Sequence, residues 1–315
     1  MGEGEEKVAG RSHGAQAVRH CHARMTPPTP KPVPYPCATI ALPEIAPCPA
    51  NDHEMRWGAA ALPLLRVEGF VLKAQPLGDA DKIVTFLTRE EGKIRGVAKA
   101  ARRSRRRFGS SLEPWSRVAL TLFEKEAADL ARVDACDLLE SAYRLHENLE
   151  TGCLLAYLAE VADLFAREKQ AEPHYYRLLG SLLAALRGGL TRSVVLRYFE
   201  VWTLRLHGLL PDLDLCGSCG ASLIRGTVVL EVSSGEVFCP RCRGGAGVSR
   251  VTLREAGRGA LAEILCRPPT ELGGGRIAAS ALAEVGRLTS AALTAFAETE
   301  FRSARFLVSA EGAVS

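Results

Sequence analysis

Near Leu138 the hydrophobic pattern changes period, and this change constrains the fold more than any other feature of the chain. Before it, short apolar runs alternate with polar residues, the two-residue period of half-buried strands. "VEGFVLKA" meets the turn signal Pro76-Leu77-Gly78-Asp79, "KIVTFLT" runs into "REEGK" with Gly92, and "IRGVAKA" completes a hairpin. "SRVALTLFEK" sets Val118, Leu120 and Leu122 on one face, and "ADLARVDACDL" supplies a further candidate. About five short strands in so few residues predict a small closed barrel, since closure leaves no sheet edge exposed.

After Leu138 the spacing becomes helical. Leu154, Leu158, Val161 and Phe165 form one apolar stripe. Val195, Phe199, Trp202, Leu206 and Leu209 form another, closed by Pro211. Between them, Gly188-Gly189 is a stop signal, and further helical patterns cover 252–266 and 276–300. The class is therefore α+β, with a barrel over 65–140 and an α-helical domain over 141–315. Residues 1–64 differ. The stretch "TPPTPKPVPYPCATIALPEIAPCPA" has neither period, and its prolines remove backbone donors and favour extended conformers. A disordered Pro-rich extension is expected there.

The helical half is interrupted once, by "CGSCGASLIRGTVVLEVSSGEVFCPRC". Cys216 and Cys219 form one pair, Cys239 and Cys242 another, and 19 residues separate Cys219 from Cys239. A two-residue gap lets two thiolates from one tight turn reach adjacent corners of a tetrahedron, and Gly220 allows the chain to fold past sulfur. "TVVLEV" and "GEVF" predict a hairpin that brings the two turns together. A zinc ribbon inserted at 214–245 is expected, holding one structural Zn2+. Four thiolates leave the metal no open position for water, so the site is structural rather than catalytic. A zinc deaminase is excluded, since no histidine has Glu two positions later and Pro240 follows Cys239. The chain contains no phosphate-binding Gly-x-x-x-x-Gly-Lys-Ser/Thr, no Gly-x-Gly-x-x-Gly and no His-Glu-x-x-His. Weight shifts towards binding and away from enzymatic turnover.

Charge is concentrated in the stretch "KAARRSRRRFG". It places six cations between Lys99 and Arg107 in a chain whose net charge is only +4. The window from Lys93 to Arg107 holds Lys93, Arg95, Lys99, Arg102, Arg103, Arg105, Arg106 and Arg107, and no acid. Such density raises self-repulsion and points to an anionic partner, for which a phosphate backbone supplies evenly spaced charge. Phe108 and Trp115 flank the run as candidate stacking faces for unpaired bases. A membrane role lacks both a spanning apolar run and an amphipathic basic helix. The N-terminus has no apolar core of signal-peptide length, so a cytoplasmic location is expected. Two readings of other classes stay open: a scaffold binding only protein, and a zinc-ribbon transcription factor. A metal-dependent nucleic-acid enzyme is a third.

These residues resemble the RecO family of bacterial DNA repair proteins. The resemblance runs from "VEGFVLKAQPLGDADKIVTFLTREEGKIRGVAKAARRSRRRFGSSLEPWS" through "LLPDLDLCGSCG" and "VFCPRC" to "FRSARFL", over about 67–308. It implies an N-terminal OB-fold barrel, a helical C-terminal domain and, in many members, a four-cysteine zinc element. It further implies binding to single- and double-stranded DNA, annealing of complementary strands, and association with the nucleoid during repair. The implied partners are RecR, RecF in some lineages, the acidic C-terminal tail of single-strand-binding protein and, indirectly, RecA. One departure stands out. The family often carries Lys-Gly-Ala-Arg where this chain has Lys99-Ala100-Ala101-Arg102.

Overall fold

The computed structural model describes residues 64–103, 105–123, 130–232, 234–242, 249–298 and 300–307. The Pro-rich extension expected over 1–64 lies outside them but for its last residue.

Five strands close into a barrel: β1 (Leu64–Leu77), β2 (Asp81–Thr88), β3 (Gly92–Ala98), β4 (Arg117–Phe123) and β5 (Ala131–Glu140). Their order around the barrel is β1-β2-β3-β5-β4, antiparallel throughout except for the parallel pair β3·β5. This is the OB-fold topology. Val67, Val71, Val84, Phe86, Ile94, Val118, Leu120, Leu122 and Val133 fill the interior. β1 does not simply alternate, for Phe70, Val71 and Leu72 are all buried. Val71 faces the barrel interior, whereas Phe70 and Leu72 join the core of the helical domain. One strand thus serves two cores, which erases the two-residue period where the cores meet. The basic run contains one helical turn, α1 (Arg105–Phe108), between β3 and β4.

The helical half comprises α2 (Tyr143–His146), α3 (Leu149–Phe165), α4 (Pro173–Arg187), α5 (Arg192–Leu206), α6 (Glu255–Cys266) and α7 (Ala279–Ala297). Asn148 caps α3 by accepting from the Thr151 N–H at 2.9 Å, and Pro173 starts α4 where a missing donor costs nothing. The predicted stripe of α3 is buried along its whole length. At the centre of the bundle the buried Glu200 of α5 accepts from Tyr157 Oη of α3 at 3.0 Å and from Thr289 Oγ1 of α7. Arg197 supplies the opposing charge at 2.7 Å. A buried carboxylate is tolerated only when paired and hydrogen-bonded in this way, so the network fixes the register of three helices.

Between α5 and α6 lies a three-stranded sheet of order β7-β6-β8: β6 (Val228–Glu231), β7 (Val237–Phe238) and β8 (Arg250–Leu253). The hairpin β6–β7 is the predicted ribbon. The sheet also takes in β8, beyond the expected limit at 245, because Val228–Glu231 pairs along its other edge with Arg250–Leu253. Val228, Leu230, Val237 and Leu253 join the helical core, so the ribbon is built into that domain.

Barrel and helices are joined by specific contacts. Trp115 is buried, and its indole N–H donates to Leu155 O of α3 at 2.8 Å. Lys93 pairs with the segment after α3, its N–H donating to Arg167 O at 2.9 Å and its carbonyl accepting from Lys169 N at 3.1 Å. Gly92 has φ +66, and a Cβ there would lie 1.9 Å from Gln170 O. Only glycine allows this approach.

Candidate nucleic-acid interface and metal centre

The register of β1, β2 and β3 aligns one outward row of Lys73, Thr85 and Arg95, and a second of Gln75, Ile83 and Val97. Val97 faces Arg132 of β5 across the parallel pair. Lys73, Arg95 and Arg132 are exposed, and a groove of about 400 Å3 runs along this face. At its end stands the turn Lys99–Arg103, fastened to the β1–β2 turn. Arg102 N donates to Ala80 O at 2.9 Å and its guanidinium to Gly78 O at 2.8 Å. Lys99 Nζ donates to Asp81 Oδ2 at 2.7 Å, and Ala100 N to Asp81 Oδ1 at 2.8 Å. The Lys99 hydrogen bond, with the Ala100 N–H, holds the Asp81 carboxyl below the usual carboxylate range.

The sequence-predicted cations fall into three groups. Lys93 stands opposite Leu87, where the face passes under the helical domain. Its ammonium donates to Asp163 O at 2.6 Å and lies 3.6 Å from the Asp163 carboxylate, with only 12% of the side chain exposed. It is a domain latch, not a free surface charge. Arg95, Lys99 and Arg107 are exposed but paired, with Glu168 at 3.1 Å, Asp81 at 2.7 Å and Asp134 at 3.3 Å. Exposed pairs are individually weak and screened, so Arg95 and Arg107 can exchange a carboxylate for another anion. Arg102 and Arg103 are exposed and form no ion pair within the described residues. The side chains of Arg105 and Arg106 lie outside what is described.

Two expectations need correction. Phe108 is 4% exposed and packs inside the barrel, so it is not a stacking face, and α1 acts as a plug anchored by that ring. Trp115 is likewise unavailable, serving the domain junction instead. An aromatic beside a basic run reads the same in sequence whether it faces a base or a core. Lys73 and Arg132 stand on the same face outside the basic run that the sequence singles out. Their signal is strand alternation plus cross-strand register, and the register is set by pairing partners far away in sequence.

In the ribbon, the four sulfurs of Cys216, Cys219, Cys239 and Cys242 lie within 4.8 Å of one another. Tetrahedral Zn–S bonds of about 2.3 Å put sulfurs about 3.8 Å apart, so small adjustments would complete such a shell. Cys239 N donates to Cys216 Sγ at 3.3 Å and Cys242 N to Cys239 Sγ at 3.4 Å. Backbone donors also lower two of the thiols, Cys216 to about 6 through the Cys219 N–H first, and Cys239 through that of Cys242. Gly220 adopts φ +66 beside the first pair, as the tight turn requires. The donor set is soft and all-sulfur, and it can hold a metal ion. No described helix is long and apolar enough to cross a membrane.

Comparison with known proteins agrees with this architecture. The family model "Recombination protein O N terminal" matches residues 62–142, and "Recombination protein O C terminal" matches 146–305. The DNA repair protein RecO of Anaeromyxobacter sp. (strain K) is 36% identical over 238 residues, covering 74% of this chain and 90% of that protein. That of Geobacter metallireducens is 32% identical over 243 residues, covering 77% and 96%. That of Koribacter versatilis is 40% identical over 160 residues, covering 51% and 65%. Matched along both its barrel and its helical half, the chain belongs to the RecO family of DNA repair proteins.

Proposed function

We propose that this chain is a recombination mediator that binds single- and double-stranded DNA across the β1–β2–β3 face and the Lys99–Arg107 segment, and anneals complementary strands. The observation that carries this reading is that Arg102 and Arg103, exposed and without an ion pair among the described residues, stand at the end of a face that already presents Lys73, Arg95 and Arg132. Cations fixed on a rigid barrel can follow a phosphate backbone, and each neutralised phosphate releases counterions. Neutralisation also lowers the repulsion between two strands, which is the barrier to pairing them. Phe108 and Trp115 are buried, so neither ring holds a base.

No bond-making step is needed for this role, which makes the chain a binding protein and not an enzyme. The ribbon cysteines fit one Zn2+, whose part is to hold the two knuckles together through Cys216, Cys219, Cys239 and Cys242. Family membership supports RecR as a partner, RecF in some lineages, the tail of single-strand-binding protein, and an indirect action on RecA at gaps. It also supports work on the nucleoid in the cytoplasm.

The test is annealing of two complementary oligonucleotides, followed by fluorescence quenching. The protein is expected to accelerate pairing at low salt, lose that effect as salt rises, and show no sequence preference. Metal analysis of the same sample is expected to give about one zinc per chain. Binding without acceleration would overturn the annealing role, and a strong sequence preference would favour a transcription factor.

A further inference from the structure

We infer that Asp81, an acid in the middle of the cationic surface, strengthens DNA binding by positioning the Lys99–Arg103 turn; this rests on the reading above. Electrostatics alone gives the opposite sign, since a carboxylate beside a phosphate path repels it.

The geometry favours positioning. Both oxygens of Asp81 are committed to the turn, Oδ2 to Lys99 Nζ and Oδ1 to the Ala100 N–H. Ala100 sits at φ +58, a conformation that a residue with a Cβ holds only when its surroundings impose it. Of the bonds that fasten this turn to the β1–β2 turn, the two from Arg102 go to the carbonyls of Gly78 and Ala80, and Asp81 supplies the charged one. Asp81 opens β2 and is therefore as rigid as the barrel. Without it the Lys99–Arg103 cations would have to be ordered when DNA binds, and that cost would appear as lost affinity.

Glu168 is the internal contrast. It pairs with Arg95 at 3.1 Å across two half-exposed side chains, and no side-chain bond from it to the Lys99–Arg103 turn is seen. It competes with phosphate and organises nothing in that turn.

The experiment is anisotropy of a fluorescein-labelled oligothymidylate over a salt series, with thermal melting of each variant. Asp81→Ala is expected to weaken binding about five-fold and flatten the slope of log K against log[salt], as ordering costs of one or two side chains imply. Asp81→Asn keeps an acceptor for the Ala100 N–H and is expected to stay within about two-fold of the parent. Glu168→Gln is expected to tighten binding by up to about five-fold, the scale of an exposed pair. Should Asp81→Ala fail to fold, Asp81→Ser, too short to reach both donors, takes its place with the same weakening expected. Tightening by either Asp81 variant, in the manner of Glu168→Gln, overturns the inference, and so does failure of Asn to restore binding. A parent protein with no salt-dependent DNA affinity would instead overturn the proposed function itself.

Discussion

Ala100 shows what one methyl group does at a position of fixed backbone. At φ +58 its Cβ is crowded by the neighbouring carbonyl. Ala100→Gly is expected to stabilise the protein by roughly 0.5–1 kcal/mol, the left-handed penalty less the extra entropy glycine loses on folding. Denaturant unfolding checks this, and a lower midpoint would contradict it. The sequence marks Lys99-Ala100-Ala101-Arg102 as a departure from the pattern it resembles but leaves the conformation open, since the backbone angle is set by Asp81 and the β1–β2 turn. Phe108 and Trp115 were legible as special and were misassigned. Whether an aromatic meets solvent depends on what stands opposite, here the barrel interior for Phe108 and Leu155 for Trp115.

At the scale of elements, strands of the barrel and stripes of the helices follow directly from periodicity, because each has one buried face. The limits of that reading are physical. β1 packs on two cores at once, α1 is too short to show a period, and β8 joins the ribbon sheet only through pairing with β6. The β2–β3 turn also carries more than its own hairpin. Gly92 lies against Gln170, and Lys93 forms its backbone bonds with 167–169. Gly92→Ala is expected to cost at least about 2 kcal/mol, combining a positive-φ penalty with a backbone clash. The loss should be read in urea unfolding, accompanied by faster proteolysis at the 167–170 segment. An unchanged midpoint would show that the hairpin tip does not hold the domains together. The cysteine pairs were the most legible element of all, because two short spacings determine the geometry of two knuckles whatever surrounds them.

For the molecule as a whole, a net charge of +4 conceals a separation of roles among the cations. Lys93 holds the domains together, Lys99 is tied to Asp81, and Arg95 and Arg107 face carboxylates that another anion can replace. Arg102 and Arg103 are exposed and form no ion pair among the described residues. The sequence shows the cluster but not this division, because each partner acid comes from a different part of the chain. The most direct test replaces Arg102, Arg103, Arg105, Arg106 and Arg107 together by Ala and measures single-stranded DNA affinity across a salt series. A slope smaller by about 0.7 for every phosphate no longer neutralised is predicted, with folding intact by thermal melting. A slope equal to that of the parent protein would contradict the account.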